Sequence, residues 1–184
     1  MMKTNLKSFD SSNFNKGASK LKQFTWIILN AIFIQSSWFP FMKPKVMLLK
    51  MFGAKIGSGL VIKPAVTIKF PWKLVVGDHV WIGENTWIDN LDNVSIGNNV
   101  CISQGAMLLT GNHDYTISSF DYRNAPIIIE DGVWIGAKSV VCPGITCRSH
   151  AILAVGSIAT KDLEAFTIYQ GNPAIKIRER IIKN

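Results

Sequence analysis

The chain has 184 residues, of which 48% are hydrophobic and 17% charged, a composition that indicates one globular domain and argues against a disordered chain. The formal net charge of +8 comes from residues 1–55, which hold nine lysines and one acid, whereas residues 56–184 hold eleven basic and eleven acidic side chains. Because residues 56–184 carry no net charge, the composition argues against a domain that binds nucleic acid and against nucleic acid as a partner.

The N-terminal third predicts two helices. Residues 1–20 are rich in Ser, Asn and Lys and are expected on the surface. We predict a helix from Leu21 to about Ile34, a turn at Ser36 and Ser37, and a second helix from about Pro44 to Phe52. The uncharged run 23–42 has about the length of a membrane span, but polar residues and a proline interrupt it. Two interpretations of residues 1–50 stay open, a peripheral anchor on an anionic membrane and packing on the domain or a neighbouring subunit.

From Ile56 onward, aliphatic residues recur every six positions, with two extra residues before Val76 and before Ile96 and a polar break after Leu108. A period of six fits neither an α-helix nor a long alternating strand. It predicts a parallel β-helix in which each hexapeptide forms one side of a triangular coil. About five coils follow from the register, at 56–73, 76–93, 96–113, 129–146 and 147–164.

The cysteines predict a reducing environment. There are three, an odd number without framework spacing, and Cys147 takes an inward position of the repeat. A disulfide between Cys142 and Cys147 stays open as the less favoured alternative to free thiols. With no secretory signal in view, we expect a cytoplasmic protein, peripheral to the inner face of the membrane if residues 1–50 bind it.

Specific motifs carry a family resemblance. The repeats IGENTW, IGNNVC and IGAKSV resemble those of the hexapeptide-repeat acyltransferases, whose fold is a left-handed parallel β-helix. Six further segments resemble a smaller group within that family. They are similar to the galactoside, maltose and nodulation acetyltransferases and most of all to the colanic acid biosynthesis subgroup. These segments are FGAKIG (52–57), WIDN (87–90), TGNHDY (110–115), VWIGAKSVVCPG (133–144), S-x-x-T-K-D (157–162) and GNPA (171–174).

The resemblance implies the architecture and the reaction. We expect an all-β solenoid with N-terminal helices, a loop extruded near 114–126 and a short C-terminal helix from Ala174 to Lys183. The expected segments are 1–52, a basic helical region; 53–165, the β-helix; and 166–184, a turn and helix. The implied reaction is transfer of acetyl from acetyl-CoA to a sugar hydroxyl of an exopolysaccharide or glycolipid precursor, in a homotrimer with active sites between subunits.

His113 is the candidate general base. A sugar hydroxyl attacks a thioester slowly unless a base takes its proton, and histidine suits that task near neutral pH. His113 lies at an outward corner where neighbouring coils have Asn93 and Thr146, so the repeat itself does not require a histidine. Either Asp114 or a backbone carbonyl would orient the imidazole. Backbone N–H groups near Ser139 or Val140 are candidates to stabilise the tetrahedral oxyanion.

The remaining candidate residues fall into two groups. For the acceptor we propose Asn85, Asp89, Asn112 and Tyr115, with Asn90 as a turn residue or a contact. For acetyl-CoA the resemblance implies Trp134, Gly136, Ala137, Val155, Gly156, Thr160, Lys161, Asn172, Pro173 and Lys176, with the basic C-terminal residues near the CoA phosphates. The outward-facing Trp81 and Trp87 are expected at a subunit contact or against the acceptor.

Three alternatives remain. A metal-dependent prism would need histidines that converge, but His79, His113 and His150 fall at different places in their coils, so we expect no metal. A non-catalytic scaffold would leave the motif around His113 without a role. Within the enzyme reading, the acceptor could be an amine of an amino sugar, which would make the protein an N-acetyltransferase.

Overall fold

A computed structural model describes residues 3–12 and 14–183. Helix α1 spans Lys20–Leu29 and continues as a π-helical turn, Asn30–Ile34, and helix α2 spans Met42–Met51. Short 3-10 turns lie at Leu6–Ser8 and Pro71–Lys73. The strands, in chain order, are β1 Lys55–Ile56, β2 Val61–Ile62, β3 Thr67–Ile68, β4 Leu74–Val76, β5 Trp81–Ile82, β6 Trp87–Asp89, β7 Val94–Ile96, β8 Cys101–Ile102, β9 Met107–Leu109, β10 Ile127–Ile129, β11 Trp134–Ile135, β12 Val140–Val141, β13 Thr146–Cys147, β14 Ile152–Leu153, β15 Ile158–Ala159, β16 Thr167–Gly171 and β17 Ala174–Glu179.

The strands form the three faces of a parallel β-solenoid. The first face has the order β1-β4-β7-β10-β13, the second β2-β5-β8-β11-β14-β16-β17, and the third β3-β6-β9-β12-β15. Neighbours pair in parallel one coil apart, as in Ile62 with Ile82 and Ile82 with Ile102. The predicted fold class is confirmed. The solenoid has about six turns and not five, because β16 adds a rung to the second face and Leu163 bridges to Cys147 on the first.

The predicted register is confirmed by the core. The inward positions of the hexapeptides are buried from Ile62 to Ala159, and Cys147 is fully buried among them. The residue four places after an inward one is buried too in most hexapeptides, from Leu60 to Ser157. The exceptions are Trp72 and Asp92, which are half-buried, and Asn112, which is exposed. Most sides of a coil therefore contribute two side chains to the interior, the second of them small or β-branched in most hexapeptides.

Both predicted N-terminal helices are present. The Ser19 hydroxyl caps α1 by accepting from the Lys22 N–H, which explains the start one residue before the predicted Leu21. Trp26 is buried against the solenoid and its indole Nε1 donates to the Ile68 carbonyl at 3.0 Å. Helix α2 packs on β1 and β2, with Leu49 fully buried. None of the helices described is long and apolar enough to cross a bilayer.

The predicted C-terminal helix is wrong. Residues 174–179 form β17, which turns back at Asn172 and Pro173 and pairs antiparallel with β16. The sequence alternates Ile175, Lys176, Ile177 and Arg178, a period of two that suits a strand. The last rung of the second face also offers unpaired backbone groups, and a hairpin satisfies them where a helix could not.

The extruded loop connects β9 to β10. It departs at Thr110, folds back on itself and returns at Pro126, so it begins a little before the predicted position 114. Its two arms are joined by backbone hydrogen bonds from Asp114 to Asp121 and from Arg123 to Asn112, both 2.8 Å, and by a bridge between His113 and Tyr122. The loop is thus a small hairpin with its own internal order.

Candidate active site

His113 lies at the base of the extruded loop with its ring orientation fixed. Its Nδ1 is 2.6 Å from the backbone carbonyl of Phe120. A carbonyl oxygen can only accept, so Nδ1 carries a proton, and in the neutral ring Nε2 keeps its lone pair. The imidazole can therefore accept a proton at Nε2 without changing its hydrogen bond at Nδ1.

Aromatic rings hold the imidazole in place. Phe120 stacks on it with centroids 4.5 Å apart and an angle of 8° between the planes, and Tyr122 stacks at 5.0 Å and 30°. Phe9, from the N-terminal segment, contacts both His113 at 5.8 Å and Tyr122 at 5.2 Å. Together with Leu6 these residues line a shallow apolar depression of about 370 Å³ over the histidine.

Asp114 does not orient the imidazole. Its Oδ1 accepts from the N–H of Thr116 at 2.9 Å and from the Thr116 hydroxyl at 2.5 Å. Those hydrogen bonds, first the side-chain one and then the backbone one, lower the pKa of Asp114 below its usual value. Asp114 thus stabilises the turn of the loop, and of the two possible orienting groups the backbone carbonyl takes the role.

A polar pocket of about 350 Å³ lies on the other side of Tyr122. The N-terminal segment, the second coil and the loop each contribute to it. The residues that line it are Asp10, Phe14, Asn15, Lys73, Leu91, Asp92, Asp121, Tyr122 and Asn124. Three carboxylates and two amides beside two aromatic rings are the groups that bind sugar hydroxyls and the apolar face of a pyranose.

The N-terminal segment is fastened to the loop at this pocket. The N–H of Asp10 donates to Asp121 Oδ1 at 2.9 Å, and the N–H of Asn5 donates to the carbonyl of Ser118 at 2.8 Å. Lys73, which also lines the pocket, donates from Nζ to the carbonyl of Asn15 at 2.9 Å. No sequence signal pairs position 10 with position 121, and sequence reasoning therefore missed the pocket.

The four proposed acceptor residues have different surroundings. Asn85 is exposed in a turn at φ 57°, and Tyr115 is exposed directly after the first arm of the loop hairpin. Asp89 forms an ion pair of 2.9 Å with Lys69, beside α1. Asn112 accepts from the N–H of His113 at 2.8 Å through its side-chain oxygen, so it supports the histidine backbone. None of the four lines the polar pocket.

Asn90 has a structural role. It is fully buried, its Oδ1 accepts from the N–H of Phe70 at 2.9 Å, and its Nδ2 donates to the Phe70 carbonyl at 2.6 Å. The amide therefore replaces a rung of backbone pairing between two coils where the chain leaves the repeat. Of the two roles considered for Asn90, the structure supports the turn residue.

A larger and more apolar groove of about 550 Å³ runs along the second face. Four of the residues proposed for acetyl-CoA line it, namely Trp134, Gly136, Ala137 and Val155. Its other lining residues are Ser103, Gln104, Ile152, Leu153, Ala154, Ile168 and Arg178. The Trp134 indole donates to the Ser103 hydroxyl at 2.9 Å, which holds this large, outward-facing ring along the wall.

The remaining residues proposed for acetyl-CoA do not line the groove. Gly156 adjoins it, since its N–H donates to the Ala137 carbonyl at 2.8 Å. Thr160 and Lys161 are exposed after β15 on the third face, and Asn172 and Pro173 form the exposed turn of the C-terminal hairpin.

Two basic residues of β17 differ in their surroundings. Lys176 Nζ pairs with Glu164 at 2.7 Å, and hydrogen bonding to that carboxylate raises the pKa of Lys176. Arg178 lines the groove, and no ion pair involves it among the described residues. Arg178 is therefore the cation of this strand that faces the candidate cofactor site.

The proposed oxyanion donors are already occupied. The N–H of Val140 donates to the Ser157 carbonyl at 2.9 Å, as part of the ladder of the third face, and the N–H of Ser139 donates to the Gly136 carbonyl at 3.3 Å. This expectation is wrong, because both groups are needed to close the coils.

The described residues contain no cluster of three or more His, Cys, Asp and Glu side chains that could bind a metal ion. The backbone N–H of His79 donates to Ser58, and that of His150 donates to Asp131, so both lie where the chain turns between faces one and two. His113 follows the third face. The metal-dependent alternative has no convergent histidines to support it.

Comparisons with known proteins agree with this description. A family model described as the hexapeptide repeat of succinyl-transferase matches residues 126–161. A protein of Escherichia coli K12 named as a colanic acid biosynthesis acetyltransferase, WcaF, is 36% identical over 169 residues, which cover 90% of this chain and 91% of that protein. The galactoside O-acetyltransferase of the same organism is 30% identical over 135 residues, covering 72% of this chain and 66% of the relative.

Solved structures have the same architecture. A hexapeptide-repeat acetyltransferase of Vibrio cholerae, crystallised with acetyl-CoA, superposes with a TM-score of 0.80 at 21% identity, over 96% of this chain and 97% of that one. A galactoside acetyltransferase in complex with CoA gives 0.77 at 25% identity, over 90% and 85% of the two chains. With the solenoid, the fixed histidine and the near full-length match to WcaF, the chain belongs to the family of hexapeptide-repeat acetyltransferases.

Proposed function

We propose that this enzyme transfers acetyl from acetyl-CoA to a hydroxyl of a saccharide, an exopolysaccharide or glycolipid precursor, with His113 as the general base. The observation that carries the proposal is the 2.6 Å hydrogen bond from His113 Nδ1 to the Phe120 carbonyl. That bond leaves Nε2 as the basic atom and stabilises the imidazolium that forms when Nε2 takes a proton. The names of the similar proteins, which refer to colanic acid and to galactosides, support a saccharide acceptor.

The transfer proceeds directly from donor to acceptor in a ternary complex. Nε2 of His113 removes the hydroxyl proton while the oxygen attacks the thioester carbonyl and forms the new C–O bond. The tetrahedral intermediate collapses, the C–S bond breaks, and the CoA thiolate takes the proton back from the imidazolium. No residue of the chain needs to carry the acetyl group.

The groove on the second face suits acetyl-CoA. Its walls are largely apolar, from Trp134 and Val155 to Ile168, and match the pantetheine arm. Arg178 supplies a cation for a phosphate, and its planar guanidinium can hold two phosphate oxygens at once. Acetyl-CoA complexes of proteins with this fold support the assignment.

The polar pocket beside Tyr122 suits the acceptor sugar. Its carboxylates and amides can accept and donate to several hydroxyls, and Phe14 and Tyr122 offer ring faces to the pyranose. Tyr122 lines this pocket and also stacks on His113, which supports an acceptor hydroxyl placed near the imidazole. The acceptor residues expected from the sequence do not line this pocket, and their contact with the sugar stays a separate prediction.

The candidate cofactor groove and His113 lie on different faces of the solenoid. The groove is lined by residues of the second face, from β8 to β17, whereas His113 and the polar pocket follow the third face. We therefore propose a homotrimer in which the groove of one subunit meets the histidine of the next. Outward aromatic residues such as Trp81, which is 61% exposed, are available to cover one another at such a contact.

A pair of variants tests the base. His113→Ala should lower kcat for acetyl transfer by at least about 100-fold, with the Kd for acetyl-CoA nearly unchanged. Asp114→Asn, one position away, should lose no more than about 5-fold, because that carboxylate contacts Thr116 and not the ring. Equal losses in the two variants, or unchanged turnover in His113→Ala, would refute the assignment.

The acceptor is tested by acetyl-CoA consumption with free and lipid-linked saccharides, each assayed beside its amino-sugar analogue. We expect turnover with the hydroxyl compounds and product bearing an ester, which mild base removes. Turnover confined to the amino sugars, with a base-stable amide product, would show an N-acetyltransferase instead.

A further inference from the structure

An unusual helix face points to a membrane surface. On α1 the side chains of Leu21, Phe24, Ile27 and Ile28 recur at the spacing of one helical stripe, and they are 75%, 62%, 64% and 44% exposed. Trp26, on the opposite side, is buried against the solenoid. The helix thus has an apolar inner side and an apolar outer side. Packing on the solenoid explains the inner side, whereas an apolar stripe exposed to water requires a different explanation.

Further apolar side chains are exposed in the residues that follow α1. Trp38 and Phe41, in the connection to α2, are exposed at 71% and 63%, and Phe39 packs between them with centroids 5.9 Å and 5.4 Å away. Met47 and Met51 add exposed side chains on α2. Exposed tryptophan and phenylalanine are the side chains that partition into the headgroup region of a bilayer.

The charge of this part of the chain determines what covers the surface. Residues 11–77 contain no Asp or Glu and ten lysines. Lys20 stands at the start of the exposed stripe, and Lys43 and Lys50 are exposed on α2. A second copy of the same surface would bring lysines against lysines, which is unfavourable, whereas an anionic lipid surface offers the complementary charge.

The dimensions fit a helix that lies on the bilayer. Helix α1 has 10 residues and so is about 15 Å long, half the thickness of the hydrocarbon core. Its outward apolar stripe can sink to the depth of the glycerol groups while Lys20 reaches phosphate. Burial of Trp26 keeps the helix attached to the solenoid in this orientation.

We propose that α1, the connection 35–41 and α2 form a peripheral docking surface for membranes rich in anionic phospholipid. The proposal does not depend on the reaction at His113. Docking on the membrane would keep the enzyme at the surface where lipid-linked saccharides are assembled.

Vesicle sedimentation of the full-length protein tests the proposal. We expect binding to vesicles of phosphatidylcholine with 30% phosphatidylglycerol and little binding to phosphatidylcholine alone. The double variant Phe24→Gln and Ile28→Gln should weaken the partition coefficient at least about 10-fold. The double variant Ile181→Gln and Ile182→Gln, which alters two isoleucines of the C-terminal tail that are 78% and 54% exposed, should leave it unchanged.

A charge-matched pair gives a second and independent test. Replacing Lys20, Lys43 and Lys50 by Gln should lower the partition coefficient about 100-fold, from about fivefold for each lysine near an anionic surface. The control carries the same loss of three charges elsewhere, in the exposed Lys138, Lys161 and Lys183. If both triple variants lose binding equally, net charge and not this surface is responsible, and the proposal is wrong.

Subunit packing is the competing explanation and has its own signature. The mass of the particle in solution, measured by light scattering without lipid, should be the same for the wild type and the Phe24 and Ile28 double variant. A smaller particle in the variant, or failure of the wild type to bind anionic vesicles at low salt, would overturn the membrane assignment.

Discussion

Gly136 lies where two coils approach each other closely in the wall of the groove, and replacing it by alanine should be costly. A Cβ built there would lie 2.6 Å from the Val155 nitrogen, 2.7 Å from the Leu153 oxygen and 2.8 Å from the Ala154 carbonyl carbon. All three are backbone atoms, so no side-chain rotation can relieve the contact. The two coils would have to separate by several tenths of an ångström against the hydrogen bond from Gly136 to Leu153, which is 2.7 Å long.

Gly156 provides the matched control. It has φ +67°, and a Cβ built there meets nothing within 4 Å, so Gly156→Ala tests conformational strain without a clash. That strain costs about 1–2 kcal/mol. Overpacking against backbone in the wall should cost Gly136→Ala about 3 kcal/mol. The gain from restricting the unfolded chain is common to both substitutions and cancels in the comparison.

Urea unfolding followed by circular dichroism measures the difference. The free energy of unfolding of Gly136→Ala should fall at least about 1 kcal/mol further than that of Gly156→Ala. The reasoning fails if Gly156→Ala is the less stable of the two, because left-handed strain would then outweigh the close approach of the coils.

Three further predictions concern single side chains. Asn90→Ala leaves the Phe70 N–H of the neighbouring coil without a partner, while the Phe70 carbonyl still accepts from the Lys73 N–H, and should lower the free energy of unfolding by about 1–3 kcal/mol in urea titration; a loss below about 0.5 kcal/mol would contradict the bridging role. Arg178→Ala should raise the Kd for acetyl-CoA about 10-fold by calorimetry, and Lys176→Ala, which removes a cation already paired, should change it less than about 3-fold; the reverse order would remove Arg178 from the site. Burial raises the pKa of the Cys147 thiol to about 12, so Cys147 should be the last of the three cysteines alkylated by iodoacetamide at pH 8 and should react only on unfolding; early labelling in the native protein would show that the core opens there.

The solenoid could be predicted because its signal is repeated. The inward positions recur in every coil, so a departure in a single hexapeptide, such as Cys147 in place of an aliphatic residue, does not obscure the register. The helices α1 and α2 followed from local patterns with errors of a few residues at their ends. The C-terminal strand was missed because basic residues suggested a helix face, although the alternation of Ile175 and Ile177 already indicated a strand.

The candidate site was less accessible from sequence. His113 could be singled out because the repeat does not require it, but the group that orients its ring is a main-chain carbonyl, and every residue has one. The polar pocket depends on contacts between residues more than 100 positions apart, such as Asp10 with Asp121. Arg178 faces the groove and Lys176 does not because the register shifts between Ile168 and Tyr169, an irregularity that the sequence does not mark.

The antiparallel hairpin of β16 and β17 also has a consequence for how copies of the chain can associate. A stack of parallel rungs presents, at each end, a row of backbone groups that would template another copy and lead to fibres. Here α2 packs over the first rungs, and β17, bearing charged side chains and reversed in direction, closes the last rung of the second face. Growth along the solenoid axis is thereby disfavoured, and association is directed to the flanks, where contact can close into a ring of fixed size.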